Sequence, residues 1–298
     1  MKLTAFTINN LWGNKNISIP LNEGVNIFAG INGSGKTTIL NILYCALFND
    51  PDNEICKSKY ETAEIILTDG YRVNVECKEG KKEAQFFHND SAISYETFAA
   101  EMEPFAVSSF DSNMYPMDVM TKLKERYPWL NSDLEYRLVN KLQDFYMYRN
   151  DITHKIEQVA FEKGTHMSQV RNFFQDVKDL RAIIDELFAP KLKWDEKASE
   201  VQFVLQENTN QIIHPKDLSS GEKQMLILAI DTLLQEKREC VVFWDEPELS
   251  MHVDWQKVLI KVMREINPHM QLILATHSPF IIYDGWENRV VNIQKVIK

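Results

Sequence analysis

Four short segments of the chain carry residue types that could act together on a polyphosphate. The first, residues 30–37 (GINGSGKT), lies between two apolar runs and has the pattern G-x-x-x-x-G-K-[ST]. Gly33 and Gly35 leave room for backbone N–H groups to approach phosphate oxygens. Lys36 is expected to reach the β- and γ-phosphates, and Thr37 to offer its hydroxyl group to Mg²⁺. The segment therefore predicts nucleotide binding.

The second segment, residues 240–246 (CVVFWDE), is an apolar run that ends in two carboxylates. Parallel sheets bind ligands at the carboxyl ends of their strands, which is where this run would deliver Asp245 and Glu246. We expect Asp245 to hold Mg²⁺, directly or through water. Glu246 is then free to orient and polarise an attacking water molecule.

The other two segments are less specific when they are considered alone. Residues 218–224 (LSSGEKQ) form a polar loop that leads into an apolar helix, and a capped amphipathic helix is the better explanation of that pattern taken alone. Residues 275–279 (ATHSP) place His277 in a polar turn after a buried strand, where a single histidine is usually structural.

Apolar periodicity indicates the elements that must position these residues. In several runs of the first hundred residues, apolar and polar side chains alternate. This pattern predicts strands, with a hairpin at Asp69-Gly70. A buried strand is predicted at residues 105–110, and two more at 240–244 and 271–275 with a helix at 253–266 between them. The pattern is typical of an α/β fold.

Helical periodicity dominates the middle of the chain. Ser132 and Glu135 have the spacing of a capping box, and apolar residues then recur every three or four positions. We interpret residues 1–298 as one domain with three parts: an N-terminal lobe at 1–111, a helical subdomain inserted at 112–190 and a C-terminal lobe at 191–298.

Composition limits the classes of function. The 298 residues carry a formal charge of −10, opposite in sign to most nucleic-acid binders, so any DNA or RNA contact must come from a local patch. The basic groupings are Lys122, Lys124 and Arg126, with Lys191 and Lys193, and such groups of charges more often lie on a surface that only solvent contacts.

The cysteines and the apolar runs indicate where the protein acts. Four cysteines without CxxC spacing favour a reducing cytoplasm. Because no apolar run reaches 18 residues, no membrane insertion is expected.

Taken together and in their order along the chain, the four segments resemble those of the ATP-binding cassette (ABC) ATPases: Walker A, the signature loop, Walker B with its glutamate, and the switch histidine. More narrowly, LSSGEKQ, DEPELSMHVDWQ and ATHSPFII resemble the RecF/SMC-like and OLD-like branch of AAA ATP-binding proteins, many of which are linked to DNA repair or phage defence. The resemblance implies a P-loop NTPase fold of ABC ATPase type, with a mixed sheet, an antiparallel β layer and an inserted helical subdomain.

The resemblance also implies a head-to-tail homodimer that encloses two ATP molecules with Mg²⁺. Each ATP would lie between Walker A of one subunit and the signature loop of the other. The implied nucleotide contacts are Asn32, Gly33, Ser34, Gly35, Lys36, Thr37, Thr38, Ser219 and Gly221. The implied catalytic residues are Lys36, Glu246 and His277, and the implied metal ligands are Thr37, Asp245 and Asp111, the last in place of the family's glutamine. An exposed aspartate at the end of a strand is the commoner explanation for Asp111. Trp12 and Lys15 lie on the loop expected near adenine.

The function that this resemblance implies is an ATPase switch that dimerises on ATP and controls a separate effector or toxin protein, or a DNA-processing or phage-defence system. One alternative is the nucleotide-binding subunit of a membrane transporter, although the helix MLILAIDTLL after the signature differs from the transporter pattern. A second alternative is an ATP-gated scaffold that does not hydrolyse ATP, which the adjacent Asp245 and Glu246 disfavour.

Overall fold

Chain segments that are distant in sequence make up each of the two units of the structure. The computed structural model describes residues 1–53, 56, 59–78, 80–102, 107–108, 117–161, 174–282 and 285–297. Unit 1 comprises Met1–Ser112, Arg238–Glu248 and His269–Lys298, and unit 2 comprises Asn113–Lys237 and Leu249–Pro268. The residues after 191 therefore contribute to both units.

The strands and helices alternate along the chain as an α/β fold requires. In chain order they are β1 (Leu3–Leu11), β2 (Lys15–Pro20), β3 (Val25–Ala29), α1 (Lys36–Leu47), β4 (Thr62–Leu67), β5 (Tyr71–Lys78), β6 (Lys81–His88), β7 (Ser91–Ile93), α2 (Tyr95–Glu101), β8 (Val107–Ser108), α3 (Met117–Arg126), α4 (Asp133–Phe161), α5 (Gln175–Phe188), β9 (Leu192–Trp194), β10 (Phe203–Leu205), β11 (Ile212–Ile213), α6 (Ser220–Leu233), β12 (Val241–Asp245), α7 (Val253–Ile266), β13 (Gln271–Thr276), α8 (Pro279–Ile282), β14 (Val290–Asn292) and α9 (Ile293–Val296).

Unit 1 contains an antiparallel sheet with the strand order β2-β1-β4-β5-β6-β7. Its period-two sequence pattern buries one face: in β4, Ala63, Ile65 and Leu67 point into the core while their neighbours are more exposed. The hairpin predicted at Asp69-Gly70 is present, and it joins β4 to β5. Asp69 (φ 60°) and Gly70 (φ 77°) both adopt the left-handed conformation that such a turn requires.

A second sheet in unit 1 has the order β14-β3-β13-β12-β8, and each of its pairings is parallel. Strands β3, β12 and β13 are buried along almost their whole length, as strands covered on both faces must be. The predicted fold class is confirmed. Antiparallel pairing occurs in the first of these sheets and parallel pairing in the second. Of the strand predicted at 105–110, the described part is Val107–Ser108, which pairs with β12.

Helix α1 joins the cores of these two sheets. Ile39, Leu40, Ile42 and Leu43 are fully buried and belong to one apolar cluster with side chains from both sheets. Burial of four large aliphatic side chains contributes roughly 1.5 to 3 kcal/mol each to the free energy of unfolding. The helix that follows the glycine-rich loop is therefore held firmly at the carboxyl end of β3.

Unit 2 is built around α6, whose residues from Gly221 to Leu233 are all buried. Helix α4 begins where the sequence predicts, because the Ser132 hydroxyl group accepts the N–H of Glu135 (3.3 Å) and the Glu135 carboxylate accepts the N–H of Asn131 (2.8 Å). A small antiparallel sheet, β11-β10-β9, completes the unit. Among the described residues, no helix has both the length and the apolar character needed to cross a membrane.

Candidate nucleotide-binding and hydrolysis site

The loop between β3 and α1 has a conformation that its glycines make possible. Gly33 (φ 79°) and Gly35 (φ 97°) both lie in the left-handed region. A Cβ atom on Gly35 would collide with the indole ring of Trp12, so a side chain at this position would require that ring to move. The Ser34 N–H donates to the Ile31 carbonyl (3.1 Å), which closes the turn.

Lys36 is the first residue of α1, and its side chain is 5% exposed. The ammonium group donates to the carbonyls of Gly30 (3.0 Å) and Ile31 (3.4 Å), and it lies 3.4 Å from Oε1 of Glu246. The buried cation is thus held over the loop by its own backbone. That is the position from which an ammonium group can bind a phosphate.

Asp245 and Glu246 stand at the carboxyl end of β12. Asp245 is the last residue of the strand, and the Glu246 N–H continues the pairing by donating to the Ala275 carbonyl (2.8 Å). Glu246 has φ 47°, an uncommon value for a residue with a side chain. This turn takes the Glu246 carboxylate out of the sheet and toward Lys36.

His277 contacts the same carboxylate from the end of the neighbouring strand, β13. Its Nδ1 lies 2.5 Å from Oε2 of Glu246, and its backbone N–H donates to that oxygen (3.2 Å). Parallel pairing of β12 with β13 sets this contact, because Asp245 is in register with Ala275. Lys36, Glu246 and His277 therefore form one connected group in unit 1.

The loop before α6 lies in unit 2 and has the form of a capping box. The Ser219 hydroxyl oxygen accepts the N–H of Glu222 (3.3 Å), and the Glu222 carboxylate accepts the N–H of Ser219 (2.7 Å). Burial alone would raise the pKa of Glu222, but the Ser219 N–H and the Lys191 ammonium group (3.0 Å) bring the pKa below its usual value. Lys191, whose side chain is mostly exposed, therefore forms an ion pair with Glu222 in this structure.

One feature of this loop is compatible with binding an anion from outside, and another reflects packing within unit 2. Ser219 is exposed, and a serine hydroxyl group that accepts one hydrogen bond can still donate its own proton. Gly221 is buried, and a Cβ atom there would lie 2.6 Å from the carbonyl oxygen of Ser250. Glycine is thus required at position 221 because residues 250 and 251 pack against it.

The residues of unit 1 fit a magnesium nucleotide. Ser34 Oγ is buried and has no hydrogen-bond partner among the described residues, as expected of an atom placed for a ligand. No side chain in the described part of the chain caps the N-terminus of α1, so the first N–H groups of that helix can bind an anion. Thr37 is exposed and Asp245 is half-buried, and a hydroxyl oxygen with a carboxylate is a donor set that suits Mg²⁺.

Two family models match the sequence. One, described as AAA domain, putative AbiEii toxin, Type IV TA system, matches residues 124–282, and the other, described as AAA ATPase domain, matches residues 1–133. The chain belongs to the AAA domain family, in its RecF/SMC-like and OLD-like branch. The first match contains the signature segment, Asp245, Glu246 and His277 of this AAA protein, and the second contains its glycine-rich loop.

Known proteins that are similar in sequence include one from Bacillus thuringiensis and one from Vibrio cholerae. Septu protein PtuA of Bacillus thuringiensis is 22% identical over 322 aligned residues, which cover 95% of this chain and 74% of PtuA. The Retron Vc95 probable ATPase of Vibrio cholerae serotype O1 biovar El Tor is 31% identical over 77 residues, which cover 22% of this chain and 15% of that protein.

Solved structures of SMC head domains share the fold of this AAA protein. The SmcHead bound to the C-winged helix domain of ScpA has a TM-score of 0.60 and 15% identity, and the alignment covers 95% of this chain and 92% of that one. The SMC head domain from Thermotoga maritima has a TM-score of 0.56 and 14% identity, with coverage of 95% and 91%. At these identities the similarity concerns the fold.

The other site residues predicted from the sequence are placed as follows. Asn32 is exposed and Thr38 is half-buried, both beside the glycine-rich loop. Trp12 is 41% exposed and lies against Gly35, while Lys15 is exposed at the start of β2. Asp111 lies outside the described residues. The roles assigned to all these residues remain predictions.

Glu248 belongs to this group but was not identified from the sequence. Its side chain is 4% exposed, it accepts a hydrogen bond from the Thr276 hydroxyl group, and burial raises its pKa to about 7. One oxygen of Glu248, one of Glu246 and a ring nitrogen of His277 lie within 4.8 Å of one another. The available signal was a second glutamate two residues after Glu246, directly beyond a buried strand.

Replacing Gly35 with alanine is expected to weaken ATP binding of this AAA protein about tenfold or more. The new methyl group would require both a left-handed alanine, which costs about 1–2 kcal/mol, and displacement of Trp12 from the loop. Fluorescence anisotropy of a labelled ATP analogue measures the effect. Gly80→Ala is the matched control, because Gly80 has a similar φ of 84° but no described residue other than its chain neighbours lies within 4 Å of the place that its Cβ would take. Equal loss of binding in both variants would refute this explanation.

Proposed function

We propose that the protein is a Mg²⁺-dependent ATPase whose two copies enclose ATP between them and that it acts as a nucleotide-controlled switch. The observation that carries the proposal is the connected group of Lys36, Glu246 and His277 at the end of the glycine-rich loop. A phosphate-binding cation, a carboxylate and an imidazole are there within reach of the place where a γ-phosphate would lie. Membership of the AAA family supports nucleotide binding.

In the proposed reaction, each side chain has a separate task. The backbone N–H groups of the loop and Lys36 bind the β- and γ-phosphates, while Thr37 and Asp245 would hold Mg²⁺. When bound, Mg²⁺ would neutralise charge on the phosphates. Glu246 orients a water molecule and takes its proton as the water oxygen attacks the γ-phosphorus and the bond to ADP breaks. His277 fixes the Glu246 carboxylate through its 2.5 Å contact and reaches the γ-phosphate.

The partner copy is proposed to supply Ser219 and Gly221. The support for this is the exposure of Ser219 at the N-terminus of α6, where a hydroxyl group and the helix dipole favour an anion. ATP would then join the copies, and hydrolysis would release them. A head-to-tail contact between identical chains closes on itself when it forms two equivalent sites.

The switch is proposed to control a separate effector or toxin protein, in a DNA-processing or phage-defence system. The similarity to Septu protein PtuA over 95% of the chain supports an association with that kind of system. Contact with DNA or RNA would come from the basic side chains Lys122, Lys124 and Arg126, which are exposed on α3.

Phosphate release by the purified protein tests the proposal. The wild-type chain is expected to hydrolyse ATP in the presence of Mg²⁺, and hydrolysis is expected to stop when EDTA is added. The variant Lys36→Ala is expected to lose ATP binding. ATP binding without turnover, even in the complex assembled with its partner, would favour the scaffold instead. Co-purification with a polytopic membrane protein would favour the transporter subunit.

A further inference from the structure

Glu248 is a buried carboxyl group to which the proposed reaction gives no task. Its Oε1 accepts the hydroxyl proton of Thr276, whose own oxygen accepts the N–H of Ser278 (2.9 Å). Its Oε2 is buried and has no hydrogen-bond donor among the described residues. An ionised oxygen that is buried without a hydrogen-bond donor has lost its hydration and gained nothing in return, which costs free energy. A proton on Oε2 removes the penalty and turns the oxygen into a donor.

The structure offers the carboxylate of Glu246 as an acceptor for such a proton, because the side chains of Glu246 and Glu248 interact. Oxygens of Glu246 and Glu248 and a nitrogen of His277 lie within 4.8 Å of one another. The charge of one carboxylate disfavours ionisation of a second carboxyl group this close. Glu246 is the one that faces Lys36 (3.4 Å) and His277 (2.5 Å), which stabilise its charge. Glu248 is therefore the member of the pair that keeps its proton.

The charges around Glu248 agree with this assignment. Burial is the largest cause of its raised pKa, and the negative charge of Glu246 acts in the same direction, although the Thr276 hydroxyl group and a backbone N–H oppose them. Among the described residues, Glu246 and His277 are titratable groups beside Glu248, and Lys36 lies beyond Glu246. An ionised Glu248 would add negative charge next to a bound polyphosphate and would compete with Glu246 for Lys36 and His277. A neutral Glu248 does neither.

We propose that Glu248 is a positioning residue for hydrolysis, which donates its carboxyl proton in a hydrogen bond to Glu246 and so holds that carboxylate toward the attacking water. The proton stays on Glu248 throughout, so no bond forms or breaks there. This role rests on the proposed ATP hydrolysis. It assigns Thr276 a part as well, because the Thr276 hydroxyl group fixes the other oxygen of Glu248.

Two substitutions separate positioning from general structural support. In Glu248→Gln the amide oxygen can accept from Thr276 and the amide N–H can donate to Glu246 at every pH, whereas Glu248→Ala offers neither group. Glu248→Ala is expected to lower kcat about tenfold or more, with KM for ATP changed less than about twofold. Glu248→Gln is expected to keep kcat near the wild-type value and to retain activity above about pH 7, where the wild type loses it. Glu287→Gln, at an exposed glutamate of the same unit, is the matched control.

Protonation of Glu248 can be measured without ATP. With ¹³C-labelled glutamate carboxyl groups, the resonance that disappears in Glu248→Gln is expected to titrate well above the ordinary value of 4.5. The folded protein then binds a proton that the unfolded chain has lost between about pH 4.5 and about pH 7, so the urea midpoint of the wild type falls as pH rises through that window. Glu248→Gln is expected to remove this part of the pH dependence.

The outcomes that contradict the role of Glu248 differ from those that contradict the proposed function. An ordinary carboxyl titration of Glu248 in a protein that hydrolyses ATP would overturn only the positioning role. Equal loss of kcat in Glu248→Gln and Glu248→Ala at every pH would do the same. Absence of ATP hydrolysis by the wild-type chain, with Glu248 still titrating near pH 7, would overturn the proposed function and the positioning role that depends on it.

Discussion

Replacing Glu246 with glutamine is expected to lower the rate of ATP hydrolysis by at least about 100-fold while ATP binding persists. Glutamine has the same shape but cannot take a proton from water. The charge that it removes lies 3.4 Å from the Lys36 ammonium group, so ATP should compete more easily for Lys36 and its Kd should stay equal or fall. Phosphate release gives the rate, and isothermal titration calorimetry with Mg²⁺ gives the Kd.

The same variant should change the oligomeric state in the presence of ATP. Because hydrolysis is proposed to separate the two copies, Glu246→Gln is expected to accumulate as an ATP-bound dimer, which light scattering after size-exclusion chromatography detects. Glu287→Gln serves again as the control for loss of an acidic side chain. Hydrolysis within about threefold of the wild-type rate would show that Glu246 is not the base.

The elements that carry the site could be predicted from the sequence because their apolar runs are bounded by clear signals. Helix α7 has the predicted limits, Val253–Ile266, and strand β3 (Val25–Ala29) lies in the part of the chain where strands are predicted. Both depend on local features: an apolar run before a glycine-rich loop in one case, and an amphipathic period ended by Asn267-Pro268 in the other. Short strands such as β7 (Ser91–Ile93) have too few residues to show a period.

The environment of Glu248 could not be predicted in this way. Its burial depends on β13, which brings Thr276 beside it although the two are 28 residues apart in sequence. Glutamate is seldom buried, and no local pattern distinguishes a buried glutamate from an exposed one. The contact of Glu246 with His277 is different, because a predicted pair of adjacent strands places both at the same sheet edge.

The signature segment shows how one local structure is compatible with two interpretations. The sequence pattern of residues 219–222 fits either a helix cap or a γ-phosphate site, and the structure contains the cap. The cap does not exclude the phosphate site, since it uses the Ser219 oxygen as an acceptor and leaves the hydroxyl proton available. It also orients the N-terminus of α6, which is the part that would bind an anion. A functional test must therefore involve two copies of the chain.

Mixing two inactive variants is expected to restore ATP hydrolysis to about a quarter of the wild-type rate, if each composite site works independently. Lys36→Ala damages the Walker A side, and Ser219→Arg places a bulky side chain at an exposed position on the signature side. In a head-to-tail dimer of one chain of each kind, one site combines both defects and the other is intact. About half of the dimers formed at random are of this mixed type, and each has one of its two sites active.

The control for this mixture is Ser219→Arg combined with the double variant Lys36→Ala/Ser219→Arg, which contains no intact signature loop and should remain inactive. Both single variants must be folded, which circular dichroism and the urea midpoint establish; Ser219→Arg is expected to lose about 1 kcal/mol of stability with its cap. Restored activity would require Lys36 of one copy and Ser219 of the other to act on the same ATP. If the mixture stayed as inactive as its components, a composite site that works independently of the other site in the dimer would be excluded.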